Sequence, residues 1–221
     1  MDQSDIDVVL LEGAKATTKR VKTEMKAHNW VHFACHGIQD VAEPLESGVH
    51  LHDGRLELLE IMRQQILNPD FAFLSACQTS KGDLKLSEEV VHLAAGMLAA
   101  GYRGVVGTMW SISDMHGPEF ATEFYKYLLT KKGPEGLDST QAAYALDYAV
   151  RKVRKSLGDS DTAFLTWVPY VHFGYWYLFC FIIVVNLLHL HYLLQVVWLF
   201  HELHVMNAKF SFLQTIFLIH T

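Results

Sequence analysis

Charge is missing from a long part of this 221-residue chain: between Thr162 and His201 there is no Asp, Glu, Lys or Arg. Of 18 cationic and 24 anionic side chains, all but Glu202 and Lys209 lie in residues 1–161, which therefore carry the whole net charge of −6. Long basic runs are missing too, and a mildly acidic body is a poor counterion for phosphate, which argues against a nucleic-acid partner. Cysteine is scarce. Cys35, Cys77 and Cys180 have no short repeated spacing, so they neither staple a fold nor build a four-thiolate zinc centre, and a reducing, cytoplasmic setting is expected. The opening Met1-Asp2-Gln3-Ser4-Asp5 is acidic and polar, unlike a secretory signal. No His, Cys and carboxylate spacing meets a metal-binding pattern, and neither metal nor cofactor is expected.

What is present in residues 1–174 is an alternation of short apolar runs with amphipathic stretches, the pattern of an α/β protein with a mostly parallel sheet. Val8–Leu11 reads as a first strand, residues 16–28 as a helix, and Trp30–Ala34 as a second strand stopped by Cys35-His36-Gly37. Val49–His52 and Arg55–Leu58 read as a hairpin turned at Asp53-Gly54, since a two-residue turn of this kind needs positive φ. Phe71–Ser75 is continuous enough to be a buried central strand. A helix capped by Ser87, a strand at Gly104–Trp110, a helix from Pro118 to Lys131, and a helix capped by Asp138 or Ser139 follow. In the last of these, Ala143, Leu146, Val150, Val153 and Leu157 form the expected buried stripe, and Trp167–Phe173 reads as a final edge strand because it contains Pro169.

In open α/β sheets the residues just beyond the carboxyl ends of central strands line the binding crevice. His36 and Cys77 both occupy such positions. A thiol attacks a carbonyl only as thiolate, and a neighbouring imidazole both generates the thiolate and protonates the leaving amine. The backbone N–H groups of Gly37 and Cys77 could then form an oxyanion hole. A lone cysteine after a strand is more often packing than a nucleophile. Cys35 is expected on the opposite strand face, in the core, and His32, His50 and His52 as satisfied strand histidines.

Val31-His32-Phe33-Ala34-Cys35-His36-Gly37, Leu74-Ser75-Ala76-Cys77-Gln78-Thr79 and Gly107-Thr108-Met109-Trp110-Ser111-Ile112-Ser113-Asp114 together resemble the CHAT domain, a caspase-like and separase-like cysteine peptidase family. Leu93–Gly101 and Trp167–Gly174 look like the same family in matching order, and the likeness, closest to fungal members, spans about residues 6–174. The resemblance implies a caspase-like three-layer α/β/α sandwich. It implies His36 as general base, Cys77 as nucleophile and Gly37 as an oxyanion-hole contributor in an endopeptidase acting on protein or peptide substrates. Asp114 is similar in position to an acidic residue that accepts a basic side chain before the scissile bond in separases. Ser111 stands where that loop carries a further Asp, and Asp114 could equally cap the following helix. A non-catalytic signalling or interaction module with the same fold is the other reading. The resemblance further implies a tetratricopeptide-repeat or other regulatory partner, and that residues 1–174 lack the amino-terminal part of a full CHAT region.

Residues 175–221 are expected to be a hydrophobic appendage outside that domain. Residues 175–200 are apolar for long enough to span a bilayer as a helix, with Tyr175, Trp176, Tyr177 and Trp198 near its ends and Arg151, Lys152, Arg154 and Lys155 on the cytosolic side. This would anchor a cytoplasmic domain to a membrane. Asn186, His189, His191 and Gln195 are costly in such a helix. A competing expectation is that the tail is translated from an unspliced intron, since its residue types share thymine-rich codons.

Overall fold

The computed structural model describes residues 6–38, 40, 43–75, 77–78, 89–109, 116–158, 160–176, 180–181 and 215–220. The chain begins with strand β1 (Asp7–Glu12) and helix α1 (Thr18–Ala27), then β2 (Trp30–Ala34) and β3 (His36–Ile38). The hairpin β4 (Gly48–Leu51) and β5 (Gly54–Glu57) leads into α2 (Leu58–Arg63), β6 (Phe71–Leu74) and β7 (Cys77–Gln78). Next come α3 (Glu89–Ala99), β8 (Gly104–Thr108), α4 (Gly117–Thr130), α5 (Ala142–Leu157) and α6 (Asp161–Trp167). β9 (Tyr170–Trp176), β10 (Cys180–Phe181) and β11 (Thr215–His220) complete the described elements.

Two sheets result. The larger has the order β1-β11-β2-β6-β8-β9-β10, and the smaller β5-β4-β3-β7. The centre of the larger sheet, β2-β6-β8, is parallel, as the alternation of apolar runs and helices requires. The flanking pairs β1/β11, β11/β2, β8/β9 and β9/β10 are antiparallel. The sheet is therefore mixed, which corrects the expectation of a mostly parallel one: β10 returns on β9 by a short reversal, while β9 and β11 reach the sheet from later in the chain and enter it antiparallel to their neighbours.

Strand alternation divides the apolar side chains of the parallel centre between two cores. Val31, Phe33, Ala72, Leu74 and Val105 pack with Val21 and Met25 of α1, Leu58 and Ile61 of α2, and Leu93, Ala94 and Met97 of α3. Trp30, Phe71, Phe73 and Val106 pack instead with Phe120, Phe124 and Leu128 of α4 and Ala142, Ala145 and Ala149 of α5. The i, i+4, i+8 spacing in α4 places its three large residues on one stripe, and Pro118 sits in its first turn, where no intrahelical N–H is needed. In α5 the buried stripe is Ala142, Ala145, Leu146, Ala149 and Val153, turned from the expected one because alanines allow α4 and α5 close approach.

Asp70 ties together the amino ends of the parallel strands. Its carboxylate accepts hydrogen bonds from the Trp30 indole N–H at 2.9 Å and the Ser139 hydroxyl at 2.7 Å, and the Arg103 guanidinium lies 3.6 Å away. Its backbone N–H donates to Asn29, and its carbonyl accepts from the N–H groups of Arg103 and Gly104. One residue thus joins the starts of β2, β6 and β8 to the turn that opens α5.

The hairpin turns one residue earlier than expected. Leu51 is registered on Gly54, so His52 and Asp53 form the loop, with Gly54 at φ 149°. This frees the Asp53 carboxylate to accept from the backbone N–H (2.7 Å) and hydroxyl (3.1 Å) of Thr18, at the start of α1. The backbone N–H of Thr18 holds that carboxyl below its usual range. Gly48 is required in β4, because a Cβ there would collide with the Leu56 carbonyl oxygen across the hairpin. The expected final strand is displaced: Trp167 ends α6, and β9 begins at Tyr170, just beyond Pro169.

The membrane expectation is corrected. Among the described residues no helix is long and apolar enough to cross a bilayer. Within 175–200 the described part is extended: Tyr175 and Trp176 belong to β9, and Cys180 and Phe181 pair back on them antiparallel. A hairpin at that point is incompatible with one continuous helix from 175, because its backbone groups bond across strands, so the anchored localisation falls with it. The remainder of 175–200 lies outside the described residues. Further along the same tail, Thr215–His220 forms β11 and fills the place between β1 and β2.

Replacing Asp70 with Ala should remove both side-chain bonds and leave the Trp30 indole N–H unsatisfied, costing about 2–3 kcal/mol of unfolding free energy in urea titrations at neutral pH. Asp70→Asn, which keeps one acceptor oxygen, should cost less.

Candidate active site where two strand pairs meet

The parallel pairing of β2 with β6 sets Trp30 opposite Phe71, Val31 opposite Ala72, His32 opposite Phe73 and Phe33 opposite Leu74. Both strands then leave the larger sheet. After Ala34 the chain bends at Cys35 into β3, and after Ser75 it continues into β7. In the smaller sheet these two continuations pair again, still parallel, with His36 opposite Cys77 and Gly37 opposite Gln78. The separation along the chain is the same 41 residues in both sheets, from Phe33 to Leu74 and from His36 to Cys77. The register set by the apolar core is thus carried unchanged across the break. It brings the backbones of His36 and Cys77 to neighbouring positions, about 4.8 Å apart at the spacing of adjacent strands.

The predicted residues are treated unequally by this geometry. His36 and Gly37 lie on β3, His36 half-buried and Gly37 buried between β4 and β7. Cys77 is placed by its backbone in β7. Asp114 lies outside the described residues. The preceding strand β8 runs beside β6 with Gly107 opposite Leu74, so the chain that leads to Asp114 departs from the same end of the parallel centre as His36 and Cys77. The Ser87 cap also lies outside the described residues. Cys35 is fully buried in the core, as expected from strand alternation.

Four polar residues packed about the sheet centre, His32, Ser75, Tyr125 and His172, received little weight from sequence. His32 and Ser75 are 3% and 5% exposed, and the His32 Nε2 lies 3.2 Å from the Ser75 Oγ. The His32 ring packs at a tilt against Phe73 (centroids 4.5 Å apart) and Tyr125 (5.8 Å). Burial pushes His32 down to about 3, so the imidazole is neutral at physiological pH. Burial also raises the Tyr125 phenol well above its ordinary value. His172, on β9 opposite Val106, is pushed down to about 4 by burial. The available sequence signal was position: His32 and Ser75 lie four and two residues before His36 and Cys77 on the strands that deliver them. By contrast His50 and His52 are exposed. Among the described residues no cluster of His, Cys, Asp or Glu is arranged to hold a metal ion.

A mixed sheet with helix-lined cores on both sides, whose parallel centre sends a histidine and a cysteine into one short strand pair, is consistent with a caspase-like α/β domain. The chain belongs to the CHAT domain family, whose family model matches residues 2–175. Among curated proteins, none matches the chain.

Because His32 and His172 remain neutral when folded, the unfolded chain binds protons that the folded one refuses. Stability should therefore be full above the ordinary histidine value of 6.5 and fall below it, the His172 share ending near 4 and the His32 share near 3. Each site adds a slope approaching about 1.4 kcal/mol per pH unit. Urea unfolding between about pH 6.5 and 4.5 should show this loss, and His172→Gln should flatten it by up to one proton.

Proposed function

We propose that the protein is a cysteine endopeptidase built on a caspase-like α/β/α sandwich, in which Cys77 is the nucleophile and His36 the acid and base. The observation that carries this reading is the parallel register of His36 on Cys77 at the carboxyl end of the sheet centre, where α/β proteins bind ligands. Family membership adds to it. Two reactive residue types brought to one strand pair by the same 41-residue offset that the core register sets need no flexible loop to meet, and a preorganised pair is what nucleophilic catalysis requires.

In this mechanism His36 takes the Cys77 thiol proton, and the thiolate attacks the substrate carbonyl carbon. A C–S bond forms and the carbonyl π electrons move to oxygen. The backbone N–H groups of Gly37 and Cys77 receive the resulting oxyanion. Collapse breaks the C–N bond, and the His36 imidazolium gives its proton to the departing amine. One water then adds to the thioester with His36 as base, the C–S bond breaks, and the acid product leaves with the thiol restored. Asp114 accepts a basic side chain before the scissile bond through a charge-assisted hydrogen bond, which makes proteins or peptides with Arg or Lys at that position the substrates.

A peptidyl acyloxymethyl ketone should label Cys77 covalently, and Cys77→Ala and His36→Ala should each reduce peptide cleavage by roughly a thousandfold or more. Absence of labelling, together with unchanged cleavage in Cys77→Ala, would remove the enzyme reading and leave an interaction module. In a peptide-library cleavage profile, Asp114→Ala should lose the preference for Arg or Lys by about tenfold relative to neutral residues; an unchanged profile assigns Asp114 to helix capping.

A further inference from the structure

We propose that His32 and Ser75 form a positioning clamp that holds the carboxyl end of β6 against β2 and thereby fixes where Cys77 comes to rest relative to His36. This deepens the peptidase reading and rests on it. Ser75 is stitched to β2 twice. Its backbone N–H donates to the Phe33 carbonyl at 2.9 Å, and its hydroxyl shares a hydrogen bond with the His32 imidazole at 3.2 Å. These contacts stand at the last point where the two strands touch in the larger sheet, since the registered pairs there end at Phe33 and Leu74. Pairing resumes at His36 and Cys77 in the smaller sheet. Across that break the core register alone does not hold the two chains together, and Ser75 lies only two residues from Cys77.

The clamp is built from stiff parts. His32 packs in one aromatic cluster with Phe73 of β6 and Tyr125 of α4, which also lie against each other, and this contact restricts its ring orientation. Ser75 is buried with it. A neutral imidazole always offers one N–H and one lone-pair nitrogen, and a serine hydroxyl can complement either. The bond therefore persists over the whole range in which a peptidase works, and His32 itself carries no proton for the reaction. Through Tyr125 the clamp also ties α4 to the strand beside the one that leads to Cys77.

The test uses the full chain and the alkylation rate of Cys77 by iodoacetamide, followed by mass spectrometry of the Cys77 peptide as a function of pH. Ser75→Ala should lower the rate near neutrality by about tenfold and move the midpoint of the profile upward by about one unit, because a displaced imidazole stabilises the thiolate less. It should lower kcat for peptide cleavage by about tenfold with KM within about twofold. Ser75→Thr, which keeps the hydroxyl, should recover the wild-type midpoint. If Ser75→Ala does not fold, His32→Phe removes the same bond while keeping an aromatic ring against Phe73 and Tyr125, and is expected to move the midpoint alike. A folded variant whose midpoint coincides with wild type overturns the clamp, as does a shift that Ser75→Thr shares. His36→Ala separates the two ideas. If it moves the midpoint while Ser75→Ala does not, only the clamp falls; if it too leaves the midpoint in place, the paired His36 and Cys77 fall first and the clamp with them.

Discussion

The parallel register of β2 on β6 is the constraint on which the rest of this molecule depends. It is set by apolar side chains that alternate between two helix-lined cores, with Val31, Phe33, Ala72 and Leu74 on one side and Trp30, Phe71 and Phe73 on the other. A slip of one residue would exchange the two sets and expel large aromatics from a space shaped for them. The same offset then reappears in β3 and β7, where it sets His36 beside Cys77. Packing energy spent on the core is in this way converted into the position of two reactive residues that lie beyond it.

Polar contacts guard both ends of that register. At the amino end the Asp70 carboxylate gathers the Trp30 indole and the Ser139 hydroxyl, while its backbone joins β6 to the starts of β2 and β8. At the carboxyl end Ser75 joins the Phe33 carbonyl and the His32 ring. Buried hydrogen bonds of this sort contribute only about 1 kcal/mol each, yet leaving one partner unsatisfied costs more. They therefore select one alignment among nearby ones more strongly than they add to overall stability.

Beyond the parallel centre the sheet is completed from an unexpected direction. β11 comes from the far end of the chain and lies antiparallel to both β1 and β2. Among the described residues β1 thus reaches the rest of the sheet through a strand whose paired residues are 203 or more positions later in sequence. On the other side β9 and β10 turn back as a hairpin where a long, mainly apolar stretch suggested a helix. A run of apolar residues satisfies a sheet interior as well as a bilayer, and period alone does not distinguish them.

Much of the parallel centre was legible because its signals are local. Apolar runs at Trp30–Ala34 and Phe71–Leu74, the spacing of Phe120, Phe124 and Leu128, and the reactive residues just past two strands are all read along the chain. The strand partner of β1, the direction of β9, the hairpin loop at His52-Asp53 and the pairing of His32 with Ser75 were not, because each depends on groups 35 or more residues apart meeting in space. Sequence by itself determined an α/β domain of the CHAT family and put forward His36 and Cys77 as candidate site residues. Only the tertiary structure decided that they share a strand pair and which buried groups stand behind them, because register is a property of two strands packed against common cores and has no existence in either strand alone.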